Sequence, residues 1–175
     1  MKLWCFGDSN TYGYDPCGFI GGRYAAPWPE LLAEKTGFQV INDGKNGRMI
    51  PEREYEFVQL LRDVERQSAD VLIVMLGTND LLNGATAAEA AARMEAFLNR
   101  CHWQQILLLC PPPMKRGAWV PDDRLVEESK ALSRQYEPWR NDWASDLPMR
   151  ASGRFSSPLT EFTLRKRDTR AVRKG

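Results

Sequence analysis

One histidine, His102, stands in 175 residues, so a side-chain base of the usual neutral-pH kind has a single candidate. Cysteine is sparse and scattered: Cys5, Cys17, Cys101 and Cys110 show no C-x-x-C spacing. That pattern suggests neither a zinc site nor a disulfide framework, and reduced thiols in a cytoplasmic protein are expected. No apolar run approaches the ~20 residues needed to cross a bilayer. A basic-then-apolar leader is also missing, since Asp8 arrives at once. Nor is there a strong net charge: the formal balance is +1. No internal repeat or low-complexity segment interrupts the chain, whose length suits one domain with a single core.

What is present is alternation. Four apolar runs, Leu3–Phe6, Phe38–Ile41, Val71–Leu76 and Ile106–Cys110, read as buried parallel strands. Helical patterns separate them. Pro29 suits the first turn of a helix through Lys35, ended by Gly37. Pro51 suits the start of the next, with Phe57, Val58, Leu61 and Val64 on one face. Thr86-Ala87-Ala88-Glu89 matches a capping box ahead of the stripe Ala90, Met94, Phe97 and Leu98. A fourth helix starts at about Asp122 and lines up Leu125, Ser129, Leu132 and Tyr136. The implied class is α/β: a doubly wound, flavodoxin-like parallel sheet with helices on both faces.

Three polar segments fall just past strands, where such a sheet binds ligands. Gly7-Asp8-Ser9-Asn10 follows the first strand, Asn46-Gly47-Arg48 lies past the second, and Gly77-Thr78-Asn79-Asp80 follows the third. A serine on a small-residue turn at a strand end is placed to act as a nucleophile. Its attack on an ester carbonyl creates an oxyanion, which preorganised N–H donors stabilise. The Ser9 backbone, Gly47 (no Cβ in the way) and the non-titrating Asn79 amide can each supply a donor. Ordinary turns, including an Asx-turn at Asn79, are the bland alternative for each segment.

In this order and on these elements, the segments resemble the first three blocks of the SGNH (GDSL-type) hydrolases. Gly7–Asp15, Gly22-Arg23-Tyr24 and Trp28 are similar to arylesterase-like and lipase/acylhydrolase-like members. The likeness covers about residues 2–137. It implies Ser9 as nucleophile and Ser9 N–H, Gly47 N–H and Asn79 as oxyanion hole, with Asp8, Asn10 and Asp80 in support. Asp8 would order the turn rather than perform chemistry. It also implies a small-molecule carboxylic or aryl ester as substrate, and no metal or organic cofactor.

The family's fourth element, an Asp-x-x-His pair that supplies the general base and its orienting carboxylate, occurs nowhere in this chain. His102 lies between a helical stripe and the fourth strand, which places it at the sheet edge opposite Ser9. Losing a triad member costs several orders of magnitude in rate.

The composition changes after Glu137. Residues 1–137 carry 15 Lys/Arg and 19 Asp/Glu, whereas residues 138–175 carry 9 and 4. Pro138 interrupts the fourth helix, and from Pro148 to Gly175 neither helical nor strand periodicity is evident. A last strand and helix therefore look lost, and a poorly ordered tail is expected. A shifted reading frame from about Pro138 accounts for both the tail and the missing base. Taking the last base of each codon with the first two of the next, Glu137/Pro138 onward permits Ala-Leu-Ala-Glu-Arg-Leu-Gly-Ile-Gly-Phe-Ala-Asp-Ala-Gly-Glu. From Leu159/Thr160 the same frame permits Asp-Gly-Ile-His-Phe-Thr-Glu-Glu-Gly-His, which contains Asp-x-x-His. On this reading the basic tail needs neither a nucleic-acid nor a membrane partner.

Two other classes compete. A non-catalytic protein would keep the pocket for an acylated ligand. A phosphate-binding, flavodoxin-like domain would use Gly7–Thr11 as an anion nest, but the Asp8 carboxylate repels phosphate. Trp4 and Trp28 read as core or pocket wall, and Pro111-Pro112-Pro113 as a stiff loop beside the site. Arg23 and Arg48 either reach a substrate carboxylate or face water.

Overall fold

The structure is a computed structural model; it describes residues 1–17, 22–101, 103, 105–139 and 162–166. Five strands form one sheet in the order β2-β1-β3-β4-β5. They are β1 (Lys2–Gly7), β2 (Gln39–Gly44), β3 (Val71–Met75), β4 (Gln105–Leu109) and β5 (Phe162–Lys166). The first four run parallel, and β5 lies antiparallel against β4. The helices are α1 (Ser9–Tyr12), α2 (Trp28–Thr36), α3 (Glu54–Gln67), α4 (Thr78–Leu82), α5 (Ala87–Arg100) and α6 (Asp123–Tyr136).

Alternation along the strands divides the core in two. Trp4, Phe6, Leu72, Val74, Ile106 and Leu108 face α3, α5 and α6 in the larger cluster. Leu3, Cys5, Val71, Ile73, Met75 and Leu109 face the other way, where Trp28 and Leu32 of α2 cover them. Helices thus lie on both faces, as expected. Trp4 is core, and half-buried Trp28 packs on the smaller cluster.

Where local chemistry is strong, the expected elements form as read. Gly37 caps α2 in the left-handed region, and Thr86 with Glu89 makes the full capping box of α5. Ala90, Met94, Phe97 and Leu98 are buried along α5, and Leu125, Ser129, Leu132 and Tyr136 along α6. The Asp122 side chain accepts from the Leu125 N–H at the start of α6. At its other end Pro138 sits in a 3-10 turn, Glu137–Trp139. A proline there cannot continue the helix.

Three expectations are corrected. Helix α3 begins at Glu54, not at Pro51, because the Glu56 carboxylate accepts the backbone N–H groups of Glu52 and Arg53 and holds the chain outside the helix. Its buried face is Phe57 with Leu60, while Val58 and Leu61 are 38% and 39% exposed; Val64's side chain lies outside the described residues. Second, β2 is a half-buried edge strand, since among the described residues only β1 pairs with it. Third, the tail contributes β5. The open edge of β4 offers unpaired N–H and C=O groups, which accept a strand whatever its side-chain pattern. The expected disorder of residues 140–161 and 167–175 concerns residues outside those described.

Candidate active site

Sheet register brings the three polar segments to one edge. Gly7 pairs with Gly44 of β2 on one side and with Met75 of β3 on the other. Ser9, Gly47 and Asn79 therefore leave the sheet at the same level. At this edge α1 presses on β2: a Cβ on Gly44 would lie 2.0 Å from the Tyr12 nitrogen, so no other residue fits. Gly47 has φ +78°, a backbone conformation that glycine adopts without strain.

Ser9 is the first residue of α1, and the Asp8 side chain caps that turn by accepting the Asn10 N–H at 2.8 Å. Asp8 is wholly buried, and its second oxygen, Oδ2, has no protein partner. Burial, reinforced by the nearby Asp80 charge, pushes its carboxyl up to about 6 against hydrogen bonds from Asn10 and Thr78. This environment suits a buried structural acid better than an exposed reactive one.

Hydrogen bonds tie the three loops together pairwise. Asn10 Nδ2 donates to Thr78 Oγ1 at 3.0 Å, joining the first loop to the third. Lys45 N–H and Arg48 Nη1 each donate to the Gly7 carbonyl at 3.0 Å, joining the second to the first. Asn79 Nδ2 donates to the Arg48 carbonyl at 2.9 Å, joining the third to the second. An amide nitrogen carries two N–H groups, so this bond orients Asn79 and leaves one donor for a ligand. Asp80 is buried one residue on. It accepts the Ile50 N–H and Arg93 Nη1, both at 3.1 Å, and pins the third loop from behind. Burial raises the Asp80 carboxyl against those bonds.

Of the two arginines, Arg23 is exposed, as one of its two readings expected, whereas Arg48 is largely buried and faces neither water nor an open site. Arg23 donates to the Tyr12 carbonyl at 2.7 Å and pairs with Glu30. The Arg48 side chain is only 12% exposed and pairs with Asp43 at 3.0 Å. Nothing local in the sequence distinguishes a buried arginine that faces its own strand ends from one that faces water. Tyr136, placed on the apolar side of the fourth helix by its sequence, also donates its buried hydroxyl to the Leu76 carbonyl at 3.1 Å beside the third loop, a contact the sequence does not show.

Pro111 is buried after β4 while Pro112 and Pro113 are exposed. His102 lies outside the described residues. Its neighbour Trp103 donates to the Asp70 carbonyl just before β3, at the sheet edge away from Ser9. Among the described residues no cluster of His, Cys, Asp or Glu could hold a metal ion. No helix among them is long and apolar enough to cross a membrane.

A model described as the GDSL-like lipase/acylhydrolase family matches residues 5–148. The chain belongs to that family. Its match starts in β1 and runs 11 residues past Glu137. Among similar solved structures is a carbohydrate acetylesterase family member from Sinorhizobium meliloti, 26% identical, with a TM-score of 0.63 over 78% of this chain and 76% of that one. A putative arylesterase from Agrobacterium tumefaciens is 25% identical, with a TM-score of 0.65 over 78% and 77%. The lipase/acylhydrolase from Enterococcus faecalis, at 23% identity and a TM-score of 0.55 over 78% and 71%, shares the fold. No curated protein matches the chain significantly. By family, then, this is a serine ester hydrolase of the GDSL type.

Proposed function

We propose that the chain is a hydrolase of small carboxylic esters, with Ser9 as nucleophile, that is catalytically impaired as written. In this reading Ser9 N–H, Gly47 N–H and the free Asn79 amide hydrogen stabilise the oxyanion, and Asp8, Asn10 and Asp80 hold the loops. The carrying observation is the closed set of hydrogen bonds, Asn10 to Thr78, Arg48 to Gly7 and Asn79 to Arg48, around Ser9. Fixed donors of this kind each contribute ~2.7–4 kcal/mol to the transition state, because they need no reorganisation as charge develops. Acetyl and aryl esters are the favoured substrates, a choice supported by the acetylesterase and arylesterase among the similar structures. The reaction calls on no cofactor, and scattered reduced cysteines favour a cytoplasmic setting.

The impairment follows from the missing Asp-x-x-His. Without a base to take its proton, a serine hydroxyl at pH 7 attacks slowly, and only the oxyanion hole and substrate binding still accelerate the reaction. Residues 1–137 form the hydrolase unit, and residues from about Pro138 onward are translated out of frame. The alternative frame permits Asp-Gly-Ile-His, and the family match leaves residues beyond 148 unmatched, whereas its extension over residues 138–148 weighs against a shift that begins as early as Pro138.

Hydrolysis of p-nitrophenyl acetate by the chain and by Ser9→Ala tests the reading. The expected rate is residual, far below the ~1–1000 per second of ordinary enzymes, and Ser9→Ala removes it. Ordinary enzymatic turnover by the chain as written would mean that another residue serves as base and that the tail is not the cause.

A further inference from the structure

We infer that Arg48 is the positioning residue of this site: its guanidinium fixes the loop that carries Gly47 and the carbonyl that orients Asn79. The inference deepens the ester-hydrolase reading and rests on it. Arg48 Nη1 donates to the Gly7 carbonyl, two residues before Ser9, and also to the Asp43 carbonyl. Nη2 pairs with Asp43 Oδ1. The guanidinium carbon lies 4.1 Å from the centre of the Phe6 ring. One side chain therefore grips the end of β1 and the end of β2 together.

The main chain of the same residue does the rest. Arg48 N–H donates to the Lys45 carbonyl at 3.1 Å and closes the turn that contains Gly47. Its carbonyl receives Asn79 Nδ2. Moving the side chain thus moves two of the three oxyanion donors relative to Ser9. Arginine suits the task for three reasons: a rigid fork that reaches two acceptors at once, a flat face that stacks on Phe6, and a charge that stays on when buried. A lysine ammonium offers a point charge and no face to stack. The neighbouring Lys45 shows the contrast, since its ammonium is 3.8 Å from Asp43 and its side chain 59% exposed.

The test compares the chain with Arg48→Met and Arg48→Lys. It uses intact-mass rates of Ser9 modification by a fluorophosphonate over a concentration series, with Ser9→Ala as control. The amide resonances of Gly47 N–H and the Asn79 NH2 group are recorded on the same samples. The expected result for Arg48→Met is a tenfold or greater fall in maximal modification rate, half-saturation within twofold, and displaced Gly47 and Asn79 resonances. Arg48→Lys is expected between the two. A folded Arg48→Met protein with unmoved resonances and an unchanged rate overturns the inference. If Arg48→Met does not fold, unmoved resonances in folded Arg48→Lys overturn it equally. If the unsubstituted chain is modified too slowly to measure, as the missing base allows, the resonances alone decide the inference, and failure of the hydrolase reading is recognised separately, by Ser9 staying unmodified in the frame-restored chain.

Discussion

Asp8 shows how a motif residue acts through its environment. Its proton is held more tightly in the folded chain than the ordinary carboxyl value of 3.8 allows, because burial penalises the charge. The folded pKa, about 6, is the higher one. Stability from this group is therefore full below pH ~4 and is lost as pH rises through about 6, a change of up to ~3 kcal/mol. Asp80, also raised by burial, contributes in the same direction. Asp8→Asn keeps the oxygen that caps α1 and removes the charge. Thermal denaturation should show it more stable than the parent at pH 8, with a flatter profile between pH 4 and 6; a lower melting temperature at pH 8 would refute the account. That Ser9, Gly47 and Asn79 lie past the ends of β1, β2 and β3 was legible in sequence, because a polar segment follows each of those apolar runs. The contacts of Arg48 and Tyr136 were not, since their partners Gly7 and Leu76 lie 41 and 60 residues away.

At the scale of elements, legibility followed the strength of local signals. Helix α5 announces itself with a complete capping box and a continuous apolar stripe. Thr86→Ala should cost about 1 kcal/mol and lower the melting temperature by roughly 2–4 °C. Helix α6 carries a different constraint. Tyr136→Phe leaves the Leu76 carbonyl buried without its donor, for about 1–3 kcal/mol. A denaturant titration separates the two, and a loss under 0.5 kcal/mol at Tyr136 would show that water replaces the hydroxyl. Helix α3 was misread at its start and on its face. Proline marks a permitted first turn, not an obligatory one, and Glu56 captures the two preceding N–H groups instead.

For the molecule as a whole, a parallel sheet with helices on both faces follows from strand–helix alternation, while the strand order β2-β1-β3-β4-β5 comes from the structure. The tail strand β5 does not follow from it, because residues 162–166 carry no strand periodicity long enough for sequence reading to detect. Among the described residues α2 is the helix that covers the smaller core cluster, where Leu107 of β4 remains half-buried. A last helix from the alternative frame would have a place on that flank. The source locus should therefore hold, overlapping the codons of residues 138–175, a frame that encodes Asp-x-x-His. The most direct measurement is p-nitrophenyl acetate hydrolysis by the chain with that frame restored after Glu137, beside the chain as written and the restored chain with Ser9→Ala. Restoration should raise turnover by about 1000-fold or more, and Ser9→Ala should abolish the gain. A restored, folded chain no faster than the chain as written would contradict the claim that Ser9 is a nucleophile lacking only its base.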